Sequence, residues 1–223
     1  MLPRGTPCLG LAWPCAQMTQ NRPIAFFDRQ FGAQVQACSY ALNPFEELVL
    51  PYLSGHVLDL GCGLGNLAVA AARRGCTVHA LDASPAGVDD LRCRAEKFHL
   101  PIWVELANLE HYPMPGRCDC VCCIGLLMFF AQPTARKRLC DIPGAVRPGG
   151  IAAVNVLIEG TTYLDFFEPG RYHLFAETDL ATCFKDWEIL ESRVDSFPAP
   201  GDTVKRFSTL IARKPAPQPE TGG

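Results

Sequence analysis

Residues 57–66 read VLDLGCGLGN, and no other stretch restricts the fold as much. Val57 to Leu60 form a short apolar β run that Gly61 stops. Glycines at every second position, Gly61, Gly63 and Gly65, permit positive φ and let the backbone approach a ligand closely. Residues 66–74 are Ala-rich with Gly75 just beyond, which reads as a helix and its C-terminal stop. Strand, glycine turn and helix together make one unit of an open, doubly wound sheet. A nucleotide-like ligand lies over such a turn, outside the carboxyl end of the strand.

The rest of the chain repeats that alternation. Residues 77–81 form a second β run. Ser84 followed by Pro85 is an N-cap with a proline at the first helical position, opening a helix to about Phe98. Further β runs fall at residues 102–106, 120–124 and 151–158. A helix carrying Arg136, Lys137 and Arg138 precedes Arg147-Pro148-Gly149-Gly150, which reads as a hard turn. Residues 178–184 suit a short helix. Two β runs, 187–194 and 206–212, close the fold around the turn FPAPGD and are expected to pair antiparallel at one edge. The expected class is α/β, a doubly wound sheet with helices on both faces.

Two cofactor classes compete for the glycine turn. Dinucleotide enzymes use G-x-G-x-x-G/A and seat a pyrophosphate on the helix N-terminus. Here the spacing is G-x-G-x-G, and Asn66 takes the sixth place. Asp59, two residues before the first glycine, would repel a pyrophosphate but suits a cationic amino-acid end. The pattern therefore favours S-adenosylmethionine over NAD. Asp82, ending the second β run, is placed to accept bonds from both ribose hydroxyls of a nucleoside, in either class. Past the third run, Asn108-Leu109 falls where an adenine amino group can be read; Asn108 serves equally as a turn residue.

On these residues the chain resembles the class I S-adenosylmethionine-dependent methyltransferases, over roughly residues 24–213. Within them it is most similar to the tellurite-resistance methyltransferases. VLDLGCGLGN and RPGG carry the superfamily likeness. LLMFF at residues 126–130 and the ending KDWE…RFSTLIAR carry the closer one. The resemblance implies a Rossmann-like seven-stranded sheet with an antiparallel last strand. It implies S-adenosylmethionine held by Asp59, Gly61, Cys62, Gly63, Asp82, Ala83, Asn108, Leu109, Ile124 and Gly125. A Thr-His pair of that family is absent from residues 35–40, and a His-Arg pair is replaced by Phe197-Pro198-Ala199-Pro200.

Composition narrows the partners. The chain has 223 residues, a formal net charge of -3 and 48% apolar residues, so it can bury a core and has no basic excess for nucleic acid or an anionic membrane. No apolar stretch is long enough to span a bilayer. The 12 cysteines include CDCVCCIG, where alternation puts Cys118, Cys120 and Cys122 on one face and Cys123 on the other. Without a paired C-x-x-C they read as reduced, packed thiols of a cytoplasmic protein, with no metal site. Residues 1–17 are expected to be a disordered extension, residues 18–213 one methyltransferase domain, and residues 214–223 a disordered tail.

The expected acceptor is a small molecule, with a thiol or reduced chalcogen of the tellurite or selenite type first. A neutral aromatic or amine metabolite comes second. A pocket is expected near Phe27, Leu127, Met128 and Tyr172, under residues 26–31 as an amphipathic cover. The long loop at 159–175 supplies His173 as a candidate base or polar anchor, Tyr172 beside it, and Arg171 as a candidate anion anchor. A module that binds cofactor without turnover and an NAD-dependent oxidoreductase are the alternatives. Oligomeric state is not legible in the sequence.

Overall fold

The computed structural model describes residues 22–216. The extension expected at residues 1–17 and the last residues of the expected tail, 217–223, lie outside that range. The described chain opens with helices α1 (Arg22–Gln36) and α2 (Pro44–Val49) and a 3-10 turn (Leu50–Tyr52). Then come β1 (His56–Leu60), α3 (Asn66–Arg73), β2 (Thr77–Asp82), α4 (Pro85–Lys97), β3 (Ile102–Leu106) and β4 (Cys118–Ile124). A 3-10 turn (Leu127–Phe129), α5 (Gln132–Ala145), β5 (Val146–Leu157), α6 (Asp179–Cys183), β6 (Glu188–Ala199) and β7 (Thr203–Arg213) complete it.

The strands form one seven-stranded sheet in the order β3-β2-β1-β4-β5-β7-β6. The first five are mutually parallel, and β7 runs antiparallel between β5 and β6. This is the Rossmann-like sheet expected from the sequence. The strand order reverses between β1 and β4, and the crevice at their carboxyl ends is the switch point where such sheets bind ligands. Alternate residues feed two cores. One face packs Leu58, Leu60, Val121, Val154 and Phe184. The other packs Val57, Val78, Ala80, Ile151 and Ile211.

Local chemistry sets the element ends. Asn43 caps α2 by accepting from the Phe45 and Glu46 N–H groups, while Glu46 Oε2 accepts from the Asn43 N–H at 2.8 Å. That reciprocal pair satisfies donors that a helix start otherwise leaves free. Ser84 caps α4 through its hydroxyl, which accepts from the Gly87 N–H, and Pro85 fills the first position.

Three expectations change. Arg147-Pro148-Gly149-Gly150 is no chain reversal; it lies inside β5, opposite a register shift between Cys118 and Cys120. That bulge also moves Cys118. It packs in the core with Cys123, while Cys120 and Cys122 share the other one, because the irregularity breaks strict alternation. The four thiols are buried and unbonded to one another. The hairpin is also tighter than FPAPGD suggests, since Phe197 to Ala199 continue β6.

Lys214, just past β7, is fixed. Its N–H donates to Gly150 O, its carbonyl accepts from the Gly149 N–H, and its ammonium donates to Pro143 O and Val146 O at 2.7 and 2.8 Å. It thereby closes the end of α5 and the bulge of β5. Lys214→Met keeps the stem and removes both charged bonds. The expected cost is about 2 kcal/mol, as bonds to charged groups run to about 1.5–3 each and add imperfectly. Urea unfolding checks it: the midpoint should fall with no change in slope.

Candidate active site

The glycine turn is tied to the neighbouring strand before any ligand is considered. Gly61 and Cys62 donate their N–H groups to Leu81 O at 2.8 and 3.0 Å. Gly63 N–H reaches one oxygen of Asp82 at 2.8 Å, and Ser84 N–H reaches the other at 2.8 Å. Gly61, Gly63 and Gly65 have φ of 74°, 55° and 66°, the left-handed region that side chains rarely adopt. A Cβ on Gly63 would stand 2.9 Å from the Phe31 ring, so α1 lies directly over the turn. Asp28 of α1 accepts from Ser84 Oγ and the Ala86 N–H at 2.7 and 2.9 Å, which fastens α1 to the start of α4.

Above the switch point opens a cavity of about 490 Å³, within the range of small-molecule sites. Its wall includes every candidate cofactor residue: Asp59, Gly61, Cys62, Gly63, Asp82, Ala83, Asn108, Leu109, Ile124 and Gly125. Asn108 Oδ1 accepts from the Glu110 N–H at 2.9 Å, so the residue builds the turn and faces the cavity at once.

Electrostatically this end is acidic. Asp59 is buried, and its Oδ2 has no hydrogen-bond partner among the described residues. Burial, with Glu46 and Asp82 adding repulsion, pushes its carboxyl up to about 8. Burial also raises Glu46, and raises Asp82 against the N–H groups of Ser84, Gly63 and Ala83 that favour its charged form. A cluster of carboxylates with an unpartnered buried oxygen suits a cationic group and repels a pyrophosphate. The residues present therefore fit S-adenosylmethionine. Asp59 and Glu46 would face its cationic end, and Asp82, Asn108 and the Gly61–Gly63 backbone its nucleoside.

The comparisons point the same way. A family model described as a methyltransferase domain matches residues 57–150. A ubiquinone biosynthesis O-methyltransferase of Xanthomonas euvesicatoria pv. vesicatoria (strain 85-10) is 32% identical over 124 residues, covering 53% of this chain and 51% of that protein. Among solved structures, TehB from Haemophilus influenzae gives a TM-score of 0.69 at 21% identity, over 81% of this chain and 65% of that one. The 1,6-didemethyltoxoflavin-N1-methyltransferase of Burkholderia thailandensis was solved with 1,6-didemethyltoxoflavin and S-adenosylhomocysteine. It gives a TM-score of 0.62 at 21% identity, over 96% of this chain and 94% of that one. Residues 57–150 are thus similar to methyltransferase domains. The structural likenesses speak for its fold, and the chain spans about half the length of the curated relatives it matches.

The other end of the cavity is aromatic, lined by Phe27, Phe45, Phe129, Phe166 and Phe207 with Met128 and Leu157. Phe27 meets Phe129 edge to face with centroids 5.2 Å apart. The catalytic candidates are not brought here. Tyr172 stacks behind Phe167 at 4.6 Å, and neither it nor His173 forms part of the wall. His173 donates its N–H to Met128 O, so the backbone follows the cavity, but the ring turns onto Phe175. Burial, then nearby Arg136, lowers its pKa, and its Nε2 is buried without a partner among the described residues. Arg171 pairs with Glu110 at 3.4 Å outside the wall. Of the pocket expected from sequence, Phe27 and Met128 line the cavity, while Leu127 sits in the sheet core.

Sequence reasoning missed Glu46, Gly87, Asn155 and Lys205. Glu46 had a signal, for Asn43-Pro44-Phe45-Glu46 spells a capping box. So did Asn155, a lone amide in the apolar run at residues 151–158. It donates to Thr209 Oγ1 at 2.8 Å and keeps a buried, unpartnered Oδ1 in a wall residue. Lys205 reads as an ordinary strand residue.

Gly87 lies in the first turn of α4, where a Cβ would come 2.5 Å from Gly63 O. Alanine is the better helix former by about 1 kcal/mol. Overpacking against backbone nevertheless costs about 1–3 kcal/mol and must push the glycine turn. Gly87→Ala should therefore lower the melting temperature and weaken S-adenosylhomocysteine binding. Gly75→Ala, which meets nothing within 4 Å, should leave binding intact even though its φ of 94° strains the turn.

A pH dependence follows from Asp59. Its unfolded carboxyl titrates near 3.8 and its folded one at about 8. Between these the folded state holds a proton that the unfolded state has lost, so this group's contribution to stability falls as pH rises through that window. A cation bound beside Asp59 favours the ionised form and expels the proton. S-adenosylmethionine affinity should therefore rise from about pH 6 to about pH 8, by up to about tenfold per unit. Titration calorimetry in buffers of different ionisation heat should show the released proton. Asp59→Asn should flatten both.

Proposed function

We propose that the domain moves a methyl group from S-adenosylmethionine to a small apolar molecule seated at the aromatic end of the cavity. One observation carries the reading: a single cavity joins the acidic glycine-turn end, with its unpartnered Asp59 oxygen, to the wall of Phe27, Phe129, Phe166 and Phe207. When bound, S-adenosylmethionine supplies a methyl already activated by its sulfonium. The protein's part is alignment and exclusion of water, which can be worth about 7–11 kcal/mol of barrier.

The residues divide that work. Asp82 holds the glycine turn and offers oxygens to hydroxyls. Asp59 and Glu46 hold positive charge at one end. Phe27 and Phe31 of α1 cover the turn and keep water out. No imidazole and no phenol stands in the wall among the described residues, and an acceptor atom that is already ionised needs neither. A thiolate or reduced chalcogen meets that condition, and the aromatic wall also favours a flat acceptor. The carboxylates around the turn argue against an NAD-dependent reaction. No described helix is long and apolar enough to cross a membrane.

A panel of thiols, selenite, tellurite and phenols, incubated with methyl-labelled S-adenosylmethionine, tests the reading. Transfer to a thiol or chalcogen is expected, its rate rising with pH through the acceptor's own pKa. His173→Ala should lower kcat/KM by less than about tenfold. A loss beyond about a hundredfold, the range of general acid–base catalysis, would make His173 the base and point to a protonated O or N acceptor. Cofactor binding without transfer to any acceptor would leave a binding module instead.

A further inference from the structure

Lys205 is the one basic residue in the cavity wall among the described residues, where Asp59, Asp82, Glu46 and Glu110 are the acids. It sits on β7 two residues before Phe207, so both side chains leave the same face of the strand, and both line the cavity. Its ammonium stands 4.7 Å from the Tyr163 ring centroid and 5.3 Å from that of Phe166. No carboxylate of the described residues lies within 4.0 Å of it. Other cations nearby are used within the fold: Arg206 holds Glu159 O and Glu177, and Lys214 holds two carbonyls. Among the described residues Lys205 meets the rings of Tyr163 and Phe166 and no counterion.

Ring faces attract a cation, but they do not replace its lost water or a counterion. Burial alone lowers its pKa, with no acid acting on it. Three of the cavity acids answer to one another, Glu46 and Asp82 both acting on Asp59, and Glu110 pairs with Arg171. Charge is thus divided in the cavity wall, with Glu46, Asp59 and Asp82 acting on one another and one ammonium standing over the Tyr163 and Phe166 rings. A ligand carrying its own positive group beside Lys205 would meet repulsion, and a neutral one would leave the ammonium uncompensated.

We propose that Lys205 sets the charge of the acceptor, so that the aromatic end of the cavity takes a flat, apolar molecule bearing one negative group, carboxylate, phenolate or thiolate, which Lys205 holds. This narrows the methyl-transfer reading above and rests on it for the word acceptor. The bond is charge-assisted and shielded from water by Tyr163 and Phe166, and the rings bind the body of the molecule by stacking. Lys205 is here a specificity residue, holding the anionic group wherever the methyl goes.

Calorimetry on the full chain decides it, using 2-naphthoate, its neutral amide and 2-naphthylmethylammonium as probes, with and without saturating S-adenosylhomocysteine. The naphthoate should bind about tenfold to about a hundredfold more tightly than the amide, and the ammonium more weakly than either. Lys205→Met should abolish that preference and Lys205→Arg should keep it, with S-adenosylhomocysteine affinity the same in all three proteins. Equal affinities, no binding of any probe, or a preference that survives Lys205→Met would overturn the proposal. Failure of S-adenosylhomocysteine to bind would sink the methyl-transfer reading separately, while the naphthoate and amide, compared without it, still judge Lys205.

Discussion

The carboxylate of Asp82 is the joint on which the site depends. One oxygen takes the Gly63 N–H and the other the Ser84 N–H, so one side chain at the end of β2 fixes both the glycine turn and the start of α4. The turn cannot fix itself. Glycines with positive φ lose more backbone entropy on folding than other residues, and something must hold them. Leu81 O supplies two further bonds to the same turn. Ser84 passes the constraint on, because its hydroxyl caps α4 and also meets Asp28 of α1. From β2 through the turn to the covering helix, the ligand-facing backbone is set by bonds internal to the protein. The same carboxylate lines the cavity.

Much of this was legible because it is local. The spacing of Gly61, Gly63 and Gly65, the acids Asp59 and Asp82, and Ser84-Pro85 each encode their structure within a few residues, and the parallel sheet follows from their order. The ten cofactor candidates meet in one wall because the carboxyl ends of β1, β2, β3 and β4 converge at the switch point. What failed depended on geometry between distant segments. Whether His173 faces the cavity or Phe175 is decided by how the loop after β5 packs on α5 and α6, and no spacing records that. The side of Cys118 depends on the bulge that Arg147-Pro148-Gly149-Gly150 makes in β5, where a turn was the simpler reading. Lys205 gave no signal because an alternating edge hairpin always carries such residues. Its meaning comes from Tyr163 and Phe166, some forty residues earlier in the chain.

The groups left over are as informative as those that pair. A buried polar atom without a partner costs about 1–3 kcal/mol, so a fold keeps few of them. Here, among the described residues, two unpartnered oxygens, of Asp59 and Asn155, belong to the wall of one cavity, and the ammonium of Lys205, without a carboxylate partner, joins them there. They differ in charge and preference. Asp59 asks for a cation, Asn155 Oδ1 for a hydrogen and Lys205 for an anion. Pairing them with one another would satisfy them, yet among the described residues no hydrogen bond or ion pair joins them. A cavity that keeps opposite charges apart in an apolar wall is stabilised most by ligands that bring the complementary charges in the same order. That order matches a cationic cofactor at the glycine turn and an anionic acceptor among the rings.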